Sequence, residues 1–126
     1  MKRCWIGVGL LAWMLAAALA VSCAMPRLHR PVAQQLHQAS ALAQQGQMEQ
    51  AQQAAAQART AWACGRTLRA MVSDHTPSEE IDSAFSELTV WGQQQKATAF
   101  AALCARTAAL VEAMADSHTL SWQNFL

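Results

Sequence analysis

After Lys2 and Arg3, the first two dozen positions are almost uniformly apolar rather than periodic. Cys4 to Met25 reads CWIGVGLLAWMLAAALAVSCAM, 22 residues without a charge. Apolar side chains here surround a helix on every side, which suits lipid better than a half-solvated surface. A helix of that length spans about 33 Å, enough to cross a hydrocarbon core of about 30 Å. Beyond Pro31 the pattern becomes periodic, and Val32, Leu36, Ala39 and Leu42 or Ala43 recur at helical spacing until Gly46. Gln47 to about Ser73 predicts the longest helix, with a stripe of Ala51, Ala54, Ala58, Ala61, Gly65, Leu68 and Val72. That narrow stripe of small residues lets a neighbour approach closely, and a close helix contact is the expected reason for Gly65 within it. Asp74-His75-Thr76-Pro77 breaks the helix, and Thr76-Pro77-Ser78-Glu79 matches a capping box with proline at the first helical position.

The next predicted helix presents Ile81, Ala84, Phe85, Leu88 and Trp91 on one face and ends near Gly92. After the polar turn Gln93 to Lys96, Phe100, Leu103, Cys104, Thr107, Leu110, Val111 and Met114 mark the last long helix, which Asp116 to Thr119 are expected to interrupt. Gly46-Gln47-Met48 and Gln95-Lys96-Ala97 both open the second member of a helix pair, a faint internal echo. The fold class is therefore all-α. We expect a membrane anchor or signal segment at 1–25, a basic exit linker at 26–31, and a helical domain at 32–126. Short connections imply a small antiparallel four-helix bundle, alternatively two tetratricopeptide-like hairpins.

Three fates of the first segment compete: an uncleaved signal anchor, a signal peptide cut after small residues, or a lipoprotein signal acylated at Cys23. Lys2 and Arg3 favour a cytoplasmic N-terminus, whereas Arg27 and Arg30 oppose it. Without residues 1–25 the chain keeps 47 apolar residues, 22 of them Ala, and 7 Lys+Arg against 8 Asp+Glu. Alanine buries little area, so the body should be slender, and a deep catalytic pocket is hard to build from it. The balanced charge argues against nucleic acid as a partner. No CxxC, HExxH, GxSxG or phosphate-cradling glycine loop is present, and no cofactor is expected.

Four groups of residues carry candidate chemistry. Asp74, His75 and Asp82, with Glu80 nearby, could hold a divalent metal or move a proton. Helix-end roles account for the same residues, His near a C-terminus and acids in a first turn. Arg59, Arg66 and Arg69 share a helix face with Trp62, a candidate partner-binding patch unless the arginines meet acids such as Asp82 on the following antiparallel helix. Cys64 and Cys104 fall on apolar sides of two helices, as a candidate disulfide outside the cytoplasm or as two small buried residues.

Trp62, Asp74-His75, Glu80-Ile81-Asp82 and a terminal Asn124-Phe125-Leu126, in this order, resemble the small bacterial family catalogued as domain of unknown function 4363. The resemblance runs over nearly the whole chain. It implies a single-anchor helical protein of the kind found in Firmicutes and brings no known activity. The chain departs from that pattern in its Ala/Gln richness and its cysteines. Together these readings lead to a non-enzymatic, membrane-tethered interaction or scaffold module. It would be a single-pass protein of the cell membrane with its body outside the cytoplasm and a protein partner the sequence does not name. The alternative is an envelope protein lipid-anchored at Cys23 with a His/carboxylate metal or proton site.

Overall fold

The computed structural model describes residues 2–72 and 75–123, the side chains of 2–4, 21–22, 25–26, 68, 71–72, 75–76 and 118–123 excepted. All regular structure among them is helical: α1 (Lys2–Gln44), α2 (Met48–Cys64), α3 (Arg66–Val72), α4 (His75–Gln93) and α5 (Ala97–Gln123).

The first helix changes character part-way along. From residue 5 to residue 20 every side chain is exposed, and Trp5 (79% exposed), Leu11, Trp13 and Leu19 point into open space. From His29 onward, residues 29, 32, 33, 36, 39, 40 and 43 are buried at the three-and-four spacing of one helix face. That face packs against α2 and α5, while α4 packs against α5 and, more sparsely, α2. The break expected at 26–31 is absent, because α1 runs unbroken through Pro26 and Pro31. Each proline removes one backbone donor and costs about 3 kcal/mol in a helix interior. Packing that begins at His29 supplies the opposing stabilisation on the body side.

Three other boundaries differ from the periodicity. The helix expected over 47–73 is two helices, α2 and α3, because the chain turns at Gly65. The close contact at that glycine is with a side chain of α3: a Cβ there would lie 2.7 Å from Arg69 Nη1, so the missing side chain makes room for a guanidinium. The fourth helix starts at His75, placing Pro77 at its third residue rather than its first, and the Thr76 side chain lies outside the described residues. The last helix continues through Asp116–Thr119 to Gln123. There the Ser117 hydroxyl donates to the Met114 carbonyl (2.8 Å), so this polar side chain satisfies itself within the helix.

The faint echo is a structural repeat. Gln47 N–H donates to Leu42 O and Gly46 N–H to Ala43 O; 49 residues later Lys96 N–H donates to Trp91 O and Gln95 N–H to Gly92 O. Both ends are Schellman motifs, with Gly46 (φ 79°) and Gln95 (φ 55°) in the left-handed region. The register carries into the core, where Ala51, Ala54, Ala55, Ala58 and Trp62 of α2 match Phe100, Leu103, Cys104, Thr107 and Val111 of α5. The two helix hairpins, α1–α2 and α4–α5, are thus copies of one unit with different side chains.

Candidate functional site

Trp62 is the convergence point of four helices. It lies in the last turn of α2 and is buried, 2% exposed. Its indole Nε1 donates to Asp82 Oδ1 of α4 at 2.7 Å. The Arg69 guanidinium of α3 stacks over the ring at 3.5 Å from its centroid. His29 of α1 meets the ring edge-on, centroids 5.6 Å apart and planes at 67°. Arg66 completes the cluster from the rim, Nη2 3.9 Å from Asp82 Oδ2.

The cluster sets two guanidinium charges against one carboxylate, and Arg69 Nε is buried without a hydrogen-bond partner among the described residues. Burial lowers the Arg69 guanidinium from its ordinary pKa; Asp82 opposes the shift and Arg66 adds to it. A guanidinium is weakly hydrated and planar, so an indole face serves it better than it would serve an ammonium. The Asp82 carboxylate accepts a short charge-assisted bond from the indole, and burying the Trp62 N–H costs little in consequence. The arrangement fastens α3 to the body and leaves the aromatic face already covered.

The candidate residues therefore separate. Trp62 and Arg69 are interior, so the patch expected to greet a partner is reduced to exposed Arg59 and Arg66. Arg66 meets Asp82, the antiparallel pairing that competed with the docking reading. Glu80 pairs with Arg106 of α5 (3.4 Å), and Ile81 is core. Asp74 and Asn124 lie outside the described residues, as does the side chain of His75. Cys64 and Cys104 are both free: Cys64 is exposed on α2, contrary to the apolar side expected for it, while Cys104 is fully buried. Burial pushes the Cys104 thiol up to about 12, so it stays neutral and inert at physiological pH. Cys23 is exposed on α1. Among the described residues, no group of three His, Cys, Asp or Glu side chains stands ready for a metal ion.

Sequence reasoning missed His29 and the His37–Glu112 pair (3.0 Å) that ties α1 to α5. A helix assumed to begin at Val32 leaves His29 in a linker; extending the 3.6-residue period back one turn from Val32 and Ala33 would have placed it on the buried face.

By length and composition, Ala97–Ser117 of α5 is a helix long and apolar enough to cross a membrane, and Trp5–Ala20 is a shorter apolar stretch. The α5 stretch contributes Phe100, Leu103, Cys104, Val111 and Met114 to the core. No family model matches this chain, and neither the curated proteins nor the solved structures contain a match.

Proposed function

We propose that the protein is a membrane-tethered helical module of a bacterial envelope. The exposed half of α1 is its anchor, and the four long helices form a closed antiparallel bundle beside the bilayer. One observation carries the reading: from Trp5 to Ala20 every side of the helix is apolar and exposed among the described residues. Soluble proteins rarely leave an apolar surface of that extent in water. A bundle is favoured over stacked tetratricopeptide-like hairpins because the first hairpin's α1 packs on α5, whereas stacking calls for an extensive α1–α4 interface. The resemblance to domain of unknown function 4363 supports the same tethered plan. The Trp62 cluster then has a mechanical role, locking the bundle end nearest the anchor, and the body serves as an interaction or scaffold module through its exposed surface.

The test is membrane extraction of the full chain. Wild type should stay with the membrane through alkaline carbonate and leave only with detergent. Leu11→Arg combined with Leu15→Arg places two charges mid-helix at about 3 kcal/mol each and should release the chain. Wild type extracted by carbonate alone would refute the anchor. Lipidation is the competing route to the same location, favoured by the exposure of Cys23. An acyl mass on Cys23 together with globomycin-sensitive processing would select it.

A further inference from the structure

Three arginines gather where α2 meets α3 and α4, and the described acids around them do not balance their charge. Arg69 is 5% exposed, and its Nε is buried without an acceptor among the described residues. None of the ion pairs among those residues includes it. Its stack on Trp62 offsets part of the burial cost but brings no opposite charge. Arg66 reaches Asp82 only at 3.9 Å and is well exposed, so it is loosely held and can turn. Arg59 makes one long bond to a neutral hydroxyl, Nη1 to Thr89 Oγ1 at 3.4 Å. Asp82 already commits one oxygen to the Trp62 indole. Three guanidinium charges therefore stand around one carboxylate.

That surplus borders a recess of about 170 Å³, whose polar lining is Arg59, Arg66, Asp82, Ser86 and the Trp62 indole. Asp82 is the one acid among the lining residues. The volume is the liquid share of about six waters, which suits a single tetrahedral anion better than a nucleotide or an extended chain. Arg59 and Arg66 lie seven positions apart, about two helical turns or 10 Å along the axis, so their long side chains can close on one ion between them. A guanidinium meets phosphate through paired N–H donors, a geometry that an ammonium lacks. Charge selects among anions. A phosphomonoester carries about −1.5 to −2 at pH 7 and matches the surplus, whereas a carboxylate cancels only half of it. We propose that this recess binds a phosphomonoester group, held between Arg59 and Arg66, with Arg69 balancing its second charge from the Trp62 ring. Two sources carry that group: a small free phosphate, or the headgroup of a lipid, since Trp62 packs on His29 just beyond the exposed apolar stretch of α1. Only the lipid source rests on the anchor reading.

Calorimetry on the full chain in dodecyl maltoside, an uncharged detergent, separates the sources. One arm titrates sodium phosphate, with sodium acetate at equal ionic strength as its comparison. The other titrates dioleoyl phosphatidic acid in the same micelles, with oleate as its comparison. Saturable binding of phosphate assigns the free anion, and saturable binding of phosphatidic acid alone assigns the headgroup. In the arm that binds, the phosphomonoester should bind at least about tenfold more tightly than the carboxylate, the worth of one further charge-assisted hydrogen bond. Arg59→Gln and Arg66→Gln, both at exposed positions, should each weaken binding by at least about tenfold. Should one of them lose helix content by circular dichroism, the other decides. Arg106→Gln, an exposed arginine on α5, should change nothing. The phosphate arm reads the site even in a chain that carbonate extracts, so failure here and failure of the anchor are distinguishable. Two silent arms, equal affinity for the carboxylate, binding that survives a folded Arg59 or Arg66 variant, or an equal loss with Arg106→Gln would each overturn the proposal.

Discussion

The two contacts that Asp82 makes differ in worth, and burial decides which matters. The Arg66 pair is long at 3.9 Å, and its side chains are 72% and 44% exposed, so solvent screens it. Exposed pairs of this kind contribute about 0–1 kcal/mol. The Trp62 bond is short, and its donor lies within the body; removing one partner of such a bond costs about 1.5–3 kcal/mol. Trp62→Phe keeps most of the ring and deletes the donor, so it should lower unfolding free energy by about 2 kcal/mol in denaturation of the detergent-solubilised chain. Arg66→Gln should lower it by less than about 1 kcal/mol. A reversed order would show that the rim, not the indole, holds Asp82. The sequence carried the Arg66–Asp82 pairing as an alternative because antiparallel neighbours can be argued from chain order. It could not carry the stacking of Arg69 on Trp62, which depends on the chain turning at Gly65.

Among the elements, the two hairpin turns have the same backbone and different residues. Gly46 meets the left-handed requirement without penalty, whereas Gln95 sits there at φ 55° with a Cβ. That conformation costs a non-glycine residue about 1–2 kcal/mol, against about 0.5–1 kcal/mol of added chain entropy for glycine. Gln95→Gly should therefore raise stability by about 0.5 kcal/mol, and Gly46→Ala should lower it by about 1 kcal/mol, each read as a shift in thermal midpoint. A lower midpoint for Gln95→Gly would mean that the side-chain bond from Gln95 Nε2 to the Gly92 carbonyl outweighs the strain. Element existence was legible where apolar spacing and glycine agreed, as at Gly46 and Gly92. It was not legible where prolines invited a break that α1 does not take, because the packing that opposes the break comes from α2 and α5, far along the chain. Likewise the repeat stayed faint in sequence because one hairpin's Ala51, Ala54 and Ala55 stand where the other has Phe100, Leu103 and Cys104. Only backbone register makes the equivalence plain.

For the whole molecule, the decisive feature is where packing begins. No side chain from 5 to 20 is buried, and His29 is the first buried residue along the chain among the described side chains. The exposed half of α1 thus contributes little to the free energy of the body, whose core among the described residues is assembled from residues after 28. Hydrophobic stabilisation follows the area removed from water, so deleting exposed residues forfeits almost none of it. A chain beginning at Leu28 should fold to the same helical body, with a thermal midpoint within a few degrees of the detergent-solubilised full chain, and it should remain in solution. The comparison separates two jobs that one continuous helix performs. If the shortened chain loses its helical signal or aggregates, the segment before Leu28 is structural. The exposed apolar surface would then be the mark of a missing protein neighbour rather than of lipid.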